Sequence, residues 1–144
     1  MKKKLKSKKF KFIPVNKPLI TKEDISYVNR CISKGWISSE GPEVKKFENN
    51  FSNFIGHKYA VAVSSGTAAL EIAVKSLNLK KNDEIIIPNF TIISNAIAVL
   101  KENLNLRLID CNLEDWNMDI DKIKEKITKK TKAIIATHIY NFPL

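Results

Sequence analysis

The residues best suited to chemistry lie in one short run, Val63-Ser64-Ser65-Gly66-Thr67-Ala68-Ala69-Leu70. An apolar stretch passes through small hydroxyl residues into helix-forming alanines. The first N–H groups of a helix have no partner inside it, and the helix dipole is positive there. Gly66 lets the backbone come close to a ligand, and Ser64, Ser65 and Thr67 add hydroxyls. This is chemistry for holding a phosphate or a carboxylate. The same stretch also fits an ordinary Ser/Thr cap between a strand and a helix. Neither a GxGxxG nor a Walker pattern adjoins it to decide between the two.

The elements around that run are legible in outline. Pro14 and Pro18 make residues 13–20 extended. Thr21 with Asp24 has the form of a capping box, Ile25, Val28 and Ile32 fall on one helical face, and Gly35 stands where a left-handed cap belongs. Gly41 and Pro42 open a second helix, whose stripe of Val44, Phe47, Phe51 and Phe54 predicts core packing, and Gly56 closes it. The rhythm then alternates. Strands are expected at 59–63, 84–87, 106–109 and 132–137, with helices at 67–77, 91–100 and 120–127. The helix at 67–77 is apolar nearly all round and is expected to be buried. Such alternation implies right-handed crossovers and a mostly parallel sheet with helices on both faces. The chain ends one strand after its last helix, so it reads as the first part of a longer α/β fold, incomplete as given.

Composition narrows the class. The 144 residues are 44% hydrophobic and 28% charged, which is globular rather than disordered. The longest uncharged run, Ile85 to Leu100, is too short for a bilayer span and contains Pro88, Asn89 and Asn95. Cys31 and Cys111 lie far apart without CxxC spacing, so neither a disulfide framework nor a zinc site is indicated, and a reducing cytoplasm is the simplest setting. Residues 1–12 hold seven lysines and no acid, which supply +7 of the net +10 and leave +3 for the rest. That tail reads as a solvated, disordered extension. Lysine alone, without arginine, does not point to nucleic acid.

The order of motifs carries further. Gly35-Trp36-Ile37-Ser38-Ser39-Glu40-Gly41-Pro42, then Phe47-Glu48, then Ala60 to Leu70, resemble the DegT/DnrJ/EryC1/StrS family of pyridoxal-phosphate-dependent sugar aminotransferases. Asp83-Glu84-Ile85-Ile86-Ile87-Pro88 with Thr91, Asp110, Asn117-Met118-Asp119, the stretch from Ile127 to Ile134, and His138-Ile139-Tyr140 continue the likeness in order. The Pro88 to Ser94 stretch and the Trp116 to Asp119 box look most like its GDP-perosamine synthase branch.

The resemblance implies the N-terminal part of a fold-type-I transferase large domain over residues 13–144, with an N-terminal arm. Ser65, Gly66 and Thr67 would hold the phosphate of pyridoxal 5'-phosphate. Ile92 would cover the pyridine face, where many members place an aromatic ring. Trp36, Ser38 and Ser39 would lie on a loop near a nucleotide-sugar site; for Trp36, simple packing after a helix cap is the alternative. The family's Schiff-base lysine and pyridine-pairing aspartate fall beyond the equivalent of Leu144, so no catalytic residue and no metal ligand is assigned. His138 is expected to be a structural, hydrogen-bonded histidine. Asn82 and Asn141 stand where the family has glycines, and Asn tolerates the left-handed conformation well. The Glu102–Arg107 stretch lacks the family's Gly and Pro.

The activity implied is transfer of an amino group from glutamate to a GDP-linked 4-keto-6-deoxy-sugar in a cytoplasmic homodimer. The 144 residues alone are expected to be inactive. The alternative is a non-catalytic remnant that acts at most as a phosphate-binding or dimerising module.

Overall fold

The computed structural model describes residues 11–144. The tail reading for residues 1–12 therefore lies outside the described residues except for Lys11 and Phe12. The described residues up to Ala62 form one compact unit, and Val63–Leu144 form another.

The first unit holds two helices. Helix α1 spans Lys22–Ser33 and opens on the expected capping box: the Asp24 N–H donates to the Thr21 hydroxyl, and the Thr21 N–H donates to the Asp24 carboxylate at 2.7 Å. Gly35 follows at φ +74°, in the left-handed region. Helix α2 spans Pro42–Phe54 with Gly41 as its cap and Pro42 as its first residue, and Gly56 follows at φ +69°. The aromatic stripe does not form the expected core. Phe47, Phe51 and Phe54 are 58%, 45% and 86% exposed. A unit of two helices has no second layer on which every apolar stripe can close.

The expected strand at 59–63 also does not form. The segment is extended but unpaired by any strand among the described residues. A strand is a ladder shared with a neighbour, and apolar sequence alone does not create the neighbour. It is anchored by the Glu48 carboxylate, which accepts the Ala62 N–H at 2.8 Å.

The second unit is built on a three-stranded parallel sheet in the order β2-β1-β3, with β1 Glu84–Pro88, β2 Asn105–Ile109 and β3 Thr131–Ile134. Every residue of the central strand is buried. Its alternation assigns each side chain a layer. Ile85 and Ile87 pack with Val74, Ala98, Val99 and Leu104 beneath helices α3 (Gly66–Ser76) and α4 (Ser94–Lys101). Ile86 packs on the opposite face with Ile109 and Met118, near Ile123 of helix α5 (Ile120–Lys126). Helices thus cover both faces, as the alternating pattern predicts. Each fully buried isoleucine contributes roughly 1.5–3 kcal/mol relative to exposure.

Two helical expectations need correction. Helix α3 buries only Val74, while Ile72 and Leu77 stay exposed, because a single face meets α4 and the sheet. Helix α4 begins at Ser94 rather than Thr91. The Thr91 hydroxyl is engaged with Thr137 and accepts from the Asn95 side chain at 2.9 Å, which holds the approach outside the helix. Among the described residues, no helix is long and apolar enough to cross a membrane.

Candidate cofactor-phosphate site

Helix α3 begins in the serine-rich turn. Ser65 is its N-cap, at φ −165° and ψ 163°, and the Ser65 hydroxyl accepts the Ala68 N–H at 3.2 Å. The ordinary capping role is therefore real. It does not use up the helix end. The Ser65 carbonyl accepts the Ala69 N–H, while the Gly66 and Thr67 N–H groups have no acceptor among the described residues. A Cβ placed on Gly66 would meet nothing within 4 Å, so the space over the turn is open. Two free amides, a positive dipole end and an open approach fit a phosphate group.

Thr67 turns toward the neighbouring helix end. Its hydroxyl shares a 2.8 Å hydrogen bond with the Ser94 hydroxyl, so the starts of α3 and α4 are joined. That bond brings the Ser65-Gly66-Thr67 turn to the segment that carries Ile92, two residues before Ser94. Ile92 is 66% exposed, an apolar surface available to a ligand's flat face.

The carboxyl ends of the strands supply the rest of this rim. Asn95 is buried and donates through its side-chain amide to both Thr91 and Thr137, each at 2.9 Å. A cavity of about 440 Å³ opens between Phe90, Thr91, Ile92, Thr137, His138 and Tyr140. Next to it, Asn89 donates to Asp110 at 2.9 Å. That bond and the Cys111 N–H hold the Asp110 carboxyl below its ordinary range.

The other predicted positions are placed as follows. Trp36, Ser38 and Ser39 lie in the first unit, on the loop between α1 and α2. Trp36 packs against Gly41, whose hypothetical Cβ would lie 3.4 Å from the Trp36 Cβ, and the side chain remains about half exposed. Packing after the helix cap accounts for that geometry. His138 accepts the Leu144 N–H on Nδ1 at 2.8 Å, the hydrogen-bonded structural role expected of it. Asn82 and Asn141 adopt φ +70° and +67°, the left-handed conformation for which they stand in. Among the described residues no group of three His, Cys, Asp or Glu side chains could hold a metal ion.

Sequence reasoning gave Ser94, Asn95 and Thr137 no part in the site. A signal existed for Asn95, a polar residue inside an otherwise apolar helix. Asn117, quoted in a motif but given no role, is 1% exposed. Asn117 donates through Nδ2 to Asp115 at 3.1 Å and to the carbonyls of Phe142 and Pro143 at 3.3 Å, and its Oδ1 accepts the Ile139 N–H at 3.1 Å.

The profile of the DegT/DnrJ/EryC1/StrS aminotransferase family matches residues 18–142. The GDP-perosamine synthase of Escherichia coli O157:H7 is 40% identical over 133 residues, which is 92% of this chain and 36% of that protein. The solved E. coli GDP-4-keto-6-deoxy-D-mannose-3-dehydratase with bound hydrated PLP superposes with a TM-score of 0.78 at 29% identity, covering 85% of this chain and 33% of that one. A mutant GDP-4-keto-6-deoxymannose-3-dehydratase with bound GDP-perosamine superposes equally well, with a TM-score of 0.78 at 29% identity over 85% of this chain and 33% of that one. The chain spans about a third of the length of the curated relatives it matches.

Proposed function

Because the chain belongs to the DegT/DnrJ/EryC1/StrS aminotransferase family, we propose that it serves a pyridoxal-phosphate-dependent sugar aminotransferase as the part that grips the cofactor phosphate. The reaction is transfer of an amino group from glutamate to a GDP-4-keto-6-deoxy-sugar, by a cytoplasmic homodimer. The single observation that carries this reading is the helix end at Gly66: two amides unpaired among the described residues, beneath open space, tied by Thr67 and Ser94 to the segment of Ile92.

The roles of this chain's residues follow from that arrangement. Gly66 and Thr67 donate their N–H groups to the phosphate. Ser65 holds the first turn in register by capping Ala68. Ile92 covers one face of the ring and keeps water from it. Asn95 fixes the loop that carries Ile92 by clamping Thr91 and Thr137. The bound cofactor supplies an electron sink for amino transfer.

The test is a titration of the chain with pyridoxal phosphate, read by the 31P line of the cofactor. Binding shifts and broadens that line. In Gly66→Asp the new carboxylate has room, and its charge suits a helix N-terminus, so thermal stability is kept. The same charge repels phosphate, and affinity falls at least tenfold. Unchanged phosphate binding in Gly66→Asp would refute the reading.

A further inference from the structure

The central strand and β3 are laddered only as far as Ile86, whose carbonyl accepts the Ile135 N–H at 2.9 Å. Pro88 has no N–H to give to the next bond, so the ladder stops while both chains run on toward the rim. Beyond that point, residues 90–92 and residues 137–140 form two walls of the cavity of about 440 Å³. We infer that Thr137 is the positioning residue of this rim: its hydroxyl fastens the two walls where the ladder has ended, and so sets Ile92 against the face of the cofactor ring. The inference rests on the cofactor reading above and adds to it the residue that fixes the gap the ring enters.

Three polar side chains from three separate segments meet at the join. The Asn95 amide has two N–H bonds; it donates one to Thr91 and the other to Thr137, each at 2.9 Å. The Thr91 hydroxyl accepts the first and donates its own proton to Thr137 at 3.2 Å. Two donors thus converge on the Thr137 oxygen, which has two lone pairs to receive them. Asn95 is 3% exposed, so its N–H cannot turn to water instead. Without the Thr137 oxygen, an Asn95 N–H and the Thr91 O–H lose their acceptor together, and the loop that carries Ile92 shifts to satisfy them. A side chain is held to the geometry its ligand needs only as well as its supporting residues are held.

The phosphate grip is built on another element. Gly66 and Thr67 open helix α3, and the Thr67 hydroxyl reaches Ser94 rather than Thr137. Loss of the Thr137 hydroxyl therefore acts on the ring and spares the phosphate. Valine is close in shape to threonine and removes the acceptor. Serine keeps the acceptor and removes a methyl group.

The experiment uses pyridoxine 5'-phosphate, which has the ring and phosphate of the cofactor but no aldehyde to react with the chain's many lysines. The 144-residue chain is titrated with it and, separately, with inorganic phosphate, both read by the 31P line. Saturation transfer is also measured from the Ile92 methyl groups to the ring protons. In Thr137→Val the affinity for pyridoxine phosphate is expected to fall roughly fivefold, the size of one net hydrogen bond, with the transfer from Ile92 reduced and the affinity for inorganic phosphate unchanged. Thr137→Ser is expected to restore affinity and transfer. Unchanged affinity and transfer in Thr137→Val overturn the inference. An equal loss for both ligands also overturns it, because it marks a residue that only holds the fold. If Thr137→Val does not fold, Thr91→Val breaks the tie from the other wall and is expected to show the same split; the same two results overturn the inference there. Equal affinities of the unmodified chain for pyridoxine phosphate and inorganic phosphate overturn it too, and leave the phosphate grip standing. No 31P response to either ligand defeats the cofactor reading itself and this inference with it.

Discussion

The hydroxyls of Thr67 and Ser94 lie 2.8 Å apart and join the first turns of two helices that flank one face of the sheet. Ser94 is buried, so removing its partner leaves a polar group without compensation. Thr67→Val, close in shape, is expected to lower stability by about 1 kcal/mol and to weaken phosphate binding. A double-mutant cycle with Ser94→Ala checks the cause: the coupling should account for most of the loss, and additive effects would show that the bond contributes nothing.

Asn117 makes four side-chain hydrogen bonds while almost wholly buried. Asn117→Leu is expected to destabilise the second unit by about 2–3 kcal/mol, because several partners lose their bonds together. Asn117→Asp should do at least as badly, since it cannot donate to the two carbonyls and faces the Asp115 carboxylate. Urea melts would show this as a lowered midpoint, and Trp116 fluorescence would report early loss of the neighbouring loop.

The left-handed turn at Asn82, φ +70°, gives a prediction with a sign. Asn82→Gly should be neutral or stabilising, since glycine occupies that conformation freely. Asn82→Ala should cost about 1 kcal/mol, because alanine lacks the short polar side chain whose local hydrogen bonding makes the left-handed region tolerable to asparagine. Equal melting temperatures for the two variants would contradict the turn geometry.

Hydrogen bonds to the ionised form hold several carboxyls below their ordinary range, among them Asp24 by the Thr21 N–H and hydroxyl, Glu84 by Arg107 and Thr128, Asp110 by Asn89 and the Cys111 N–H, and Asp115 by the Asn117 N–H and side chain. A depressed folded-state value means stability that is fully present above the ordinary carboxylate range. It is lost as pH falls through the lowered values. The chain should therefore melt at a constant temperature near neutrality and lose stability progressively on acidification below that range. Glu84→Gln should flatten part of this dependence, read as thermal midpoint against pH.

Local signals proved the most legible. Thr21 and Asp24 announce the start of α1, and Gly35 and Gly56 mark the ends of both early helices, because each feature is decided within one turn of chain. The central strand is equally plain, since Ile85, Ile86 and Ile87 are buried whichever way the pleat runs. Features that depend on distant partners were harder to read. The 59–63 segment has strand composition and, among the described residues, no strand beside it. The Phe47–Phe54 stripe has the spacing of a core and lacks a covering layer among the described residues. The turn at Gly66 was visible as a candidate cradle, whereas its tie to Ser94 comes from 27 residues away. Trp116 in a left-handed conformation carries no warning in its own side chain; only Asn117, next in sequence, hints that the loop is pinned.

Glu84 sits at the amino end of the central strand and is held from both sides: Arg107 of β2 reaches it at 3.1 and 3.3 Å, and Thr128, just before β3, at 2.7 Å. One carboxylate thus rivets the bottoms of all three strands. The opposite ends are tied pair by pair instead, Asn89 to Asp110 and Asn95 to Thr91 and Thr137. The floor of the sheet is thus one charged mount, and the rim above it is fastened by amide and hydroxyl ties between neighbouring strand ends.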